Sequence, residues 1–162
     1  MRSDPGMTNA NPPPPDAMTL RRPVEADWPR IIEVLEHANY HHIGGSEMER
    51  FPLEDAFVVE WEGRIAGVCG YRVLDAENAK TTLMVVDPAY RGKGLGLVLQ
   101  RARMEWLRAQ GLRYLYTNCD DDEVIAWYER HFGYEKTGGR VPKTEDFGLA
   151  EKSEWITLRC EL

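Results

Sequence analysis

The chain has 162 residues, with 20 Lys plus Arg against 27 Asp plus Glu and a formal net charge of −7. That length is expected to hold one domain with a real core, and 43% hydrophobic with 29% charged residues is the balance of an ordinary globular protein. The acidic excess argues against a general nucleic-acid binder or a basic membrane-surface protein, while leaving room for a small basic site facing an anionic ligand.

Cys69, Cys119 and Cys160 are too few for a disulfide framework, odd in number and without metal-finger spacing. No disulfide scaffold and no metal site is expected, and a reducing, cytoplasmic setting is the default. No apolar run approaches a membrane span, and the N-terminus lacks the apolar stretch of a secretory signal.

Residues 1–17, with Asn11-Pro12-Pro13-Pro14-Pro15, carry almost no large apolar side chain and are expected to form a disordered proline-rich tail. A polyproline docking motif is the alternative reading of that tail. The ordered domain is expected over 18–162. Thr19-Leu20-Arg21 reads as a short strand. Asp27 and Pro29 stand where a helix start wants a cap and a proline. Trp28, Ile31, Ile32 and Leu35 then mark one apolar helical face. Ala38–Pro52 reads as loop with a short helix. Phe57–Trp61 and Arg64–Leu74 read as two strands joined at Glu62-Gly63, with Gly67 and Gly70 pointing to a bulge or a close backbone approach. Thr81–Val86 is a third β run, ended by Asp87-Pro88.

Arg91-Gly92-Lys93-Gly94-Leu95-Gly96 leads into a helix whose stripe is Leu95, Leu99, Ala102 and Trp106, stopped by Gly111. Leu112–Cys119 follows as a strand, Asp121–Tyr128 as a helix with acidic residues at its N-terminus, and Tyr134–Thr137 and Trp155–Cys160 as late strands around a charged loop. The order predicts a mixed α/β (α+β) single domain around one sheet.

Alternate glycines let successive backbone N–H groups face one point, and the helix start adds its positive end. Pyrophosphate is the natural guest of such a cradle. Arg91, Lys93, Arg101 and Arg103 make this stretch basic, with no acidic residue between Arg91 and Arg103. The glycine spacing fits neither a Walker loop nor a dinucleotide fingerprint. A tight strand-to-helix connection that binds nothing is the bland alternative.

The run Thr81–Gly96, with Asp87-Pro88-Ala89-Tyr90-Arg91-Gly92-Lys93-Gly94-Leu95-Gly96, closely resembles the central motif of the GNAT-type N-acetyltransferase superfamily. Ala126, Trp127-Tyr128 and Gly133-Tyr134 resemble its second motif. The likeness extends over roughly residues 18–160. It implies a mixed, mostly antiparallel sheet flanked by helices and splayed between the fourth and fifth strands, with acetyl-CoA as co-substrate in the slot. Met84, Val85 and Val86 would then meet the pantetheine arm and thioester through backbone groups. Arg91, Gly92, Lys93, Gly94, Leu95 and Gly96 would hold the pyrophosphate through backbone amides, and Asn118 would reach the pantetheine amides. Tyr128 would act as general acid toward the departing thiolate.

Two departures stand out. One extra residue separates Tyr128 from Gly133, which puts the end of that helix in question, and Asp121 stands where an Asn is common, a position that also suits a helix cap. The fourth strand carries Lys80-Thr81-Thr82 where relatives often place a Glu. Glu60, Asp75, Glu77, His41 and His42 are the candidate bases, each with a plainer reading as a solvated surface residue. His41-His42 beside Tyr40, and Lys143, Glu145, Asp146 and Phe147 within the loop Gly138–Ser153, are expected near the acceptor. Cys69 and Cys119 lie on strands with no His tied to them, so direct transfer without a cysteine intermediate is expected. The acceptor stays open between a small-molecule amine, an amino acid, and a protein N-terminus or lysine, and the family admits homodimers. A non-catalytic acyl-CoA-binding module and a partner-binding domain working through the proline tail are the competing readings.

Overall fold

The computed structural model describes residues 17–39, 51–143 and 148–162. Residues 1–16 of the proline-rich tail, Tyr40, His41, His42, Glu145, Asp146 and Phe147 lie outside them. The elements are β1 (Met18–Arg21), α1 (Trp28–His37), β2 (Ala56–Trp61), β3 (Arg64–Val73), β4 (Asn78–Val86), α2 (Leu95–Ala109), β5 (Tyr114–Cys119), α3 (Asp122–Phe132), β6 (Glu135–Pro142) and β7 (Glu154–Glu161). Short 3-10 turns stand at Glu25–Asp27, Leu53–Asp55 and Pro88–Tyr90. The sheet order is β1-β2-β3-β4-β5-β7-β6. The β1–β2, β2–β3, β5–β7 and β6–β7 pairs are antiparallel and β4–β5 is parallel, so the sheet is mixed and mostly antiparallel, as expected. The parallel ladder holds Asn78↔Tyr114, Ala79↔Leu115 and Lys80↔Tyr116 and stops there, although β4 runs on to Val86 and β5 to Cys119.

The described chain divides into two compact units. One takes in the residues through Gly70 together with Leu83–Arg103; the other holds Tyr71–Thr82 and Met104–Leu162. In the first, Trp28, Ile31, Val34 and Leu35 of α1 pack on Val58, Ile65, Val68, Leu83 and Val85, with Ile32 only partly buried. Each fully buried aliphatic side chain there contributes about 1.5–3 kcal/mol. Val59, Ala66 and Cys69 pack with Leu95 and Leu99 of α2 in a second cluster, joined by the half-buried Met84 and Val86. The period-two alternation of β4 therefore divides its residues between two packed clusters. Asp27 stands at the N-terminus of α1 as expected, but its carboxylate does not cap that helix. It binds Arg21 and the Val24 N–H instead.

Register shifts between β2 and β3: Val59 faces Gly67 but Glu60 faces Ile65, leaving Ala66 as a bulge. A Cβ on Gly67 would lie 3.1 Å from both Leu99 Cδ1 and the Val85 carbonyl oxygen, so the close approach is at this glycine while the bulge is at its neighbour Ala66. Arg103 corrects the local charge argument. It is 0% exposed, and its guanidinium donates to Gln100 Oε1 at 2.7 Å and to the carbonyls of Gly70 and Leu83 at 2.8 Å each. This cation fastens β3 to β4 and is spent on the interior.

In the second unit Met104, Leu107, Leu115, Ile125, Leu158 and Cys160 are buried. Trp106, expected in the buried stripe, is half-buried and stacks on Tyr71 at 5.0 Å. β4 starts at Asn78 rather than Thr81, because Asp75 accepts the N–H groups of Glu77 and Asn78 and closes the turn early. β6 reaches Pro142, taking in residues 138–142 that were expected as loop. The Gly138-Gly139 pair that reads as a loop signal lies where the β6–β7 register breaks between Lys136 and Arg140.

Candidate functional site

β4 delivers the chain to the glycine loop. Val85 is core, so it has only its backbone to offer, while Met84 and Val86 are half-buried on the other side. Gly92 and Gly94 adopt φ of 82° and 75°, and α2 begins at Leu95. Alternating left-handed residues turn consecutive N–H groups to one side, forming an anion nest. The first-turn N–H groups of α2 have no intrahelical acceptor and add to it. Buried Leu95 anchors the helix start, and a Cβ on Gly94 would meet nothing within 4 Å, which leaves the approach open. Lys93 holds its ammonium 4.6 Å over the Trp61 ring, and Arg91 is exposed. The geometry fits a pyrophosphate.

Asp87, whose side chain the sequence did not single out, fixes this connection. It is 2% exposed and sits between β4 and the 3-10 turn that precedes the loop. Its carboxylate accepts from the Ala89 N–H at 3.0 Å, from Arg30 Nη2 at 3.1 Å and from His37 Nδ1 at 3.1 Å. An ionised carboxylate has no proton to give, so His37 carries its hydrogen on Nδ1. Burial pushes the Asp87 carboxyl up, but the Ala89 N–H, His37 and Arg30 outweigh it and hold the group below the usual carboxylate range. Arg30 and His37 lie far from Asp87 in sequence, and no local pattern announces them.

Asn118 and Tyr128 belong to the second unit. Asn118 is exposed near the end of β5, and its amide oxygen accepts from Thr157 Oγ1 at 2.7 Å. Its Nδ2 donor pair remains to offer a ligand. Tyr128 is 6% exposed and stands edge-on between Trp127 and Tyr134, with ring centroids at 5.0 and 4.9 Å. Asp121 is a cap, accepting from the N–H groups of Glu123 and Val124. The extra residue after Tyr128 is absorbed without distortion. α3 continues to Phe132, and Gly133, at φ 69°, returns its N–H to the Tyr128 carbonyl in a left-handed cap.

The candidate bases among the described residues are engaged in local structure. Glu60 binds Arg21, Asp75 closes the β3–β4 turn, and Glu77 pairs with Arg113 at the surface. Lys80 fills the last rung of the β4–β5 ladder, where burial and then Arg72 pull its ammonium below the ordinary lysine range. Burial pushes the thiols of Cys69 and Cys119 up, which makes both poor nucleophiles. Lys143, expected at the acceptor wall, is buried against Asp120 at 2.8 Å. A cavity of about 330 Å³ in this unit is lined by Asp120, Ile125, Lys136, Arg140, Ser153 and Ile156, among others.

Comparison with known proteins then adds kinship. The model of the Acetyltransferase (GNAT) family matches residues 21–134. A Bacillus subtilis (strain 168) protein, provisionally named a ribosomal protein bS18-alanine N-acetyltransferase, is 27% identical over 114 residues, 69% of this chain and 74% of that one. Ard1 from Thermoplasma volcanium has the same fold at a TM-score of 0.71 and 19% identity, over 90% of this chain and 98% of that one. The N-acetylglutamate synthase from Neisseria gonorrhoeae, complexed with coenzyme A and N-acetyl-glutamate, matches at 0.66 and 17%, over 90% of this chain and 35% of that one.

Proposed function

The chain belongs to the GNAT acetyltransferase family, and we propose that it transfers the acetyl group of acetyl-CoA to a primary amine by direct attack in a ternary complex. The observation that carries this reading is the nest at Gly92 and Gly94 opening onto the N-terminus of α2 at the end of β4. Such a nest suits the diphosphate of coenzyme A, and Arg91 and Lys93 add charge to it. Backbone groups of Met84–Val86 take the pantetheine arm, with the Asn118 Nδ2 donors meeting its amide oxygens.

The amine must first be neutral, and its lone pair then adds to the thioester carbonyl. As the tetrahedral adduct collapses, the C–S bond breaks and its electron pair stays on sulfur. A phenol is un-ionised at neutral pH, with a pKa of ~10, so the Tyr128 hydroxyl can give that sulfur its proton, and the proton that the attacking nitrogen sheds as the amide forms restores the phenolate to the phenol. A primary amine at a protein N-terminus is the first acceptor to try, in line with the name of the Bacillus subtilis relative.

The test is an amine panel with acetyl-CoA, reading free thiol release and including a peptide with N-terminal alanine. Turnover on at least one amine is expected, and Tyr128→Phe should lower kcat by roughly 10²-fold. Coenzyme A binding with no turnover on any amine would leave a binding module instead. An unchanged kcat in Tyr128→Phe would remove that residue from the chemistry.

A further inference from the structure

The Arg30–Asp87–His37 cluster has no part in the chemistry above, yet it costs the fold a buried charge. We propose that Asp87 is a positioning residue for the acetyl donor: through Arg30 and His37 it holds the end of β4 and the start of the Arg91–Gly96 nest in one fixed register. The proposal rests on the reading of that nest as the pyrophosphate site.

Every polar group of Asp87 is engaged. Its N–H goes to the Ala66 carbonyl at 2.8 Å, its own carbonyl accepts the Tyr90 N–H at 2.8 Å, and its carboxylate takes Ala89, Arg30 and His37. The residue thus ties the β3 bulge, the 3-10 turn and both ends of α1 to the four-residue bridge between Val86 and Arg91. Arg30 doubles the tie, because its Nε donates to the Ile65 carbonyl at 2.9 Å, one residue before the bulge. Glu33 faces the same guanidinium and also takes Arg64, so Arg30 is held from two sides.

A turn alone does not call for this. An Asn or Ser would accept the Ala89 N–H without the desolvation cost of a carboxylate. What the charge adds is a second oxygen on which donors from the first and last turns of α1 converge, fixing the carboxylate plane and with it the direction in which the chain leaves β4. Loss of that direction displaces the nest from the β4 edge. A donor that must touch both then binds less well, while a donor that touches β4 alone is unaffected.

Asp87→Asn keeps an acceptor for Ala89 and removes the charge. The experiment measures, by calorimetry on the full chain, the Kd of coenzyme A and of pantetheine, which lacks the pyrophosphate. It adds kcat and KM for acetyl-CoA at saturating amine. For the wild type, coenzyme A should bind more tightly than pantetheine by at least about tenfold. In Asp87→Asn the coenzyme A Kd and the acetyl-CoA KM should rise by about tenfold, with pantetheine binding and kcat within about twofold. His37→Gln, at a half-exposed residue, should show the same selectivity at about threefold, and it carries the test if the Asn variant does not fold. Equal losses for the two ligands, or none, would overturn the role of Asp87 while leaving the nest in place. A wild type that binds both ligands equally would remove the pyrophosphate reading itself, and the proposal with it.

Discussion

Two buried aspartates stand just past two strands: Asp87 beyond β4 at 2% exposure and Asp120 beyond β5 at 8%. Each accepts from a backbone N–H and a cation. Asp87 takes Ala89, Arg30 and His37; Asp120 takes the Leu149 N–H at 2.7 Å and Lys143 Nζ at 2.8 Å. The chemistry is the same but the direction of ordering differs. The side-chain partners of Asp87, Arg30 and His37, sit on α1, which its own apolar face already holds in the core. Those of Asp120 lie outside helix and strand, and Lys143 is further held by the Leu149 carbonyl at 2.9 Å and the Trp155 ring at 4.6 Å. One carboxylate is clamped by a helix that packs without it; the other draws together Lys143 and Leu149, which belong to neither helix nor strand.

The contrast can be broken from either side. The largest effect is expected from Asp120→Ala, which leaves a buried ammonium without its counter-charge. Stability in a denaturant titration should fall by about 3–5 kcal/mol, while coenzyme A affinity stays near the wild-type value. Gly148→Ala attacks the same tether from the other partner: at φ +74° its Cβ would lie 2.3 Å from Asp120 Oδ2. It should cost about 2–3 kcal/mol, and the double variant with Asp120→Ala should lose clearly less than the sum, since both act on one contact. Gly94→Ala touches only the nest. With no atom within 4 Å of the new Cβ, the cost is the left-handed backbone alone, about 1–2 kcal/mol, accompanied by weaker coenzyme A binding.

The smallest signal is a slope in pH. Because the Asp87 carboxyl is held low in the folded protein, its contribution is complete above the unfolded-state value near ~3.9 and is lost as pH falls through the folded one. A plot of Tm against pH should therefore show the wild type falling toward Asp87→Asn in acid, with the two lines parallel above about pH 5.

The motifs from Thr81 to Tyr134 were legible because their signals are local. Gly92 and Gly94 do take left-handed φ, Gly67 does lie where a side chain would be crowded, and Asp121 does cap α3. What escaped is long-range polar partnership. Arg103 counts as one more positive charge in a linear reading, and only the fold shows it turned inward onto the carbonyls of Gly70 and Leu83. Asp87-Pro88 reads as the end of a strand, and nothing near it in sequence tells that Arg30 and His37 will arrive. β6 was shortened by its glycines, whose turn chemistry is real but is spent on a register break inside the strand.

That break bears on self-association. β6 is exposed along its whole length and closes one edge of the sheet, the place where a second molecule could add a strand and grow an aggregate. Gly138 at φ 88° interrupts the run of evenly spaced donors and acceptors, Lys136 and Arg140 flank the interruption with like charge, and Pro142 withholds an N–H at the end. An incoming strand would find no uninterrupted ladder to copy. The irregularity that obscured β6 in the sequence thus also gives a neighbouring strand less to pair with along this edge.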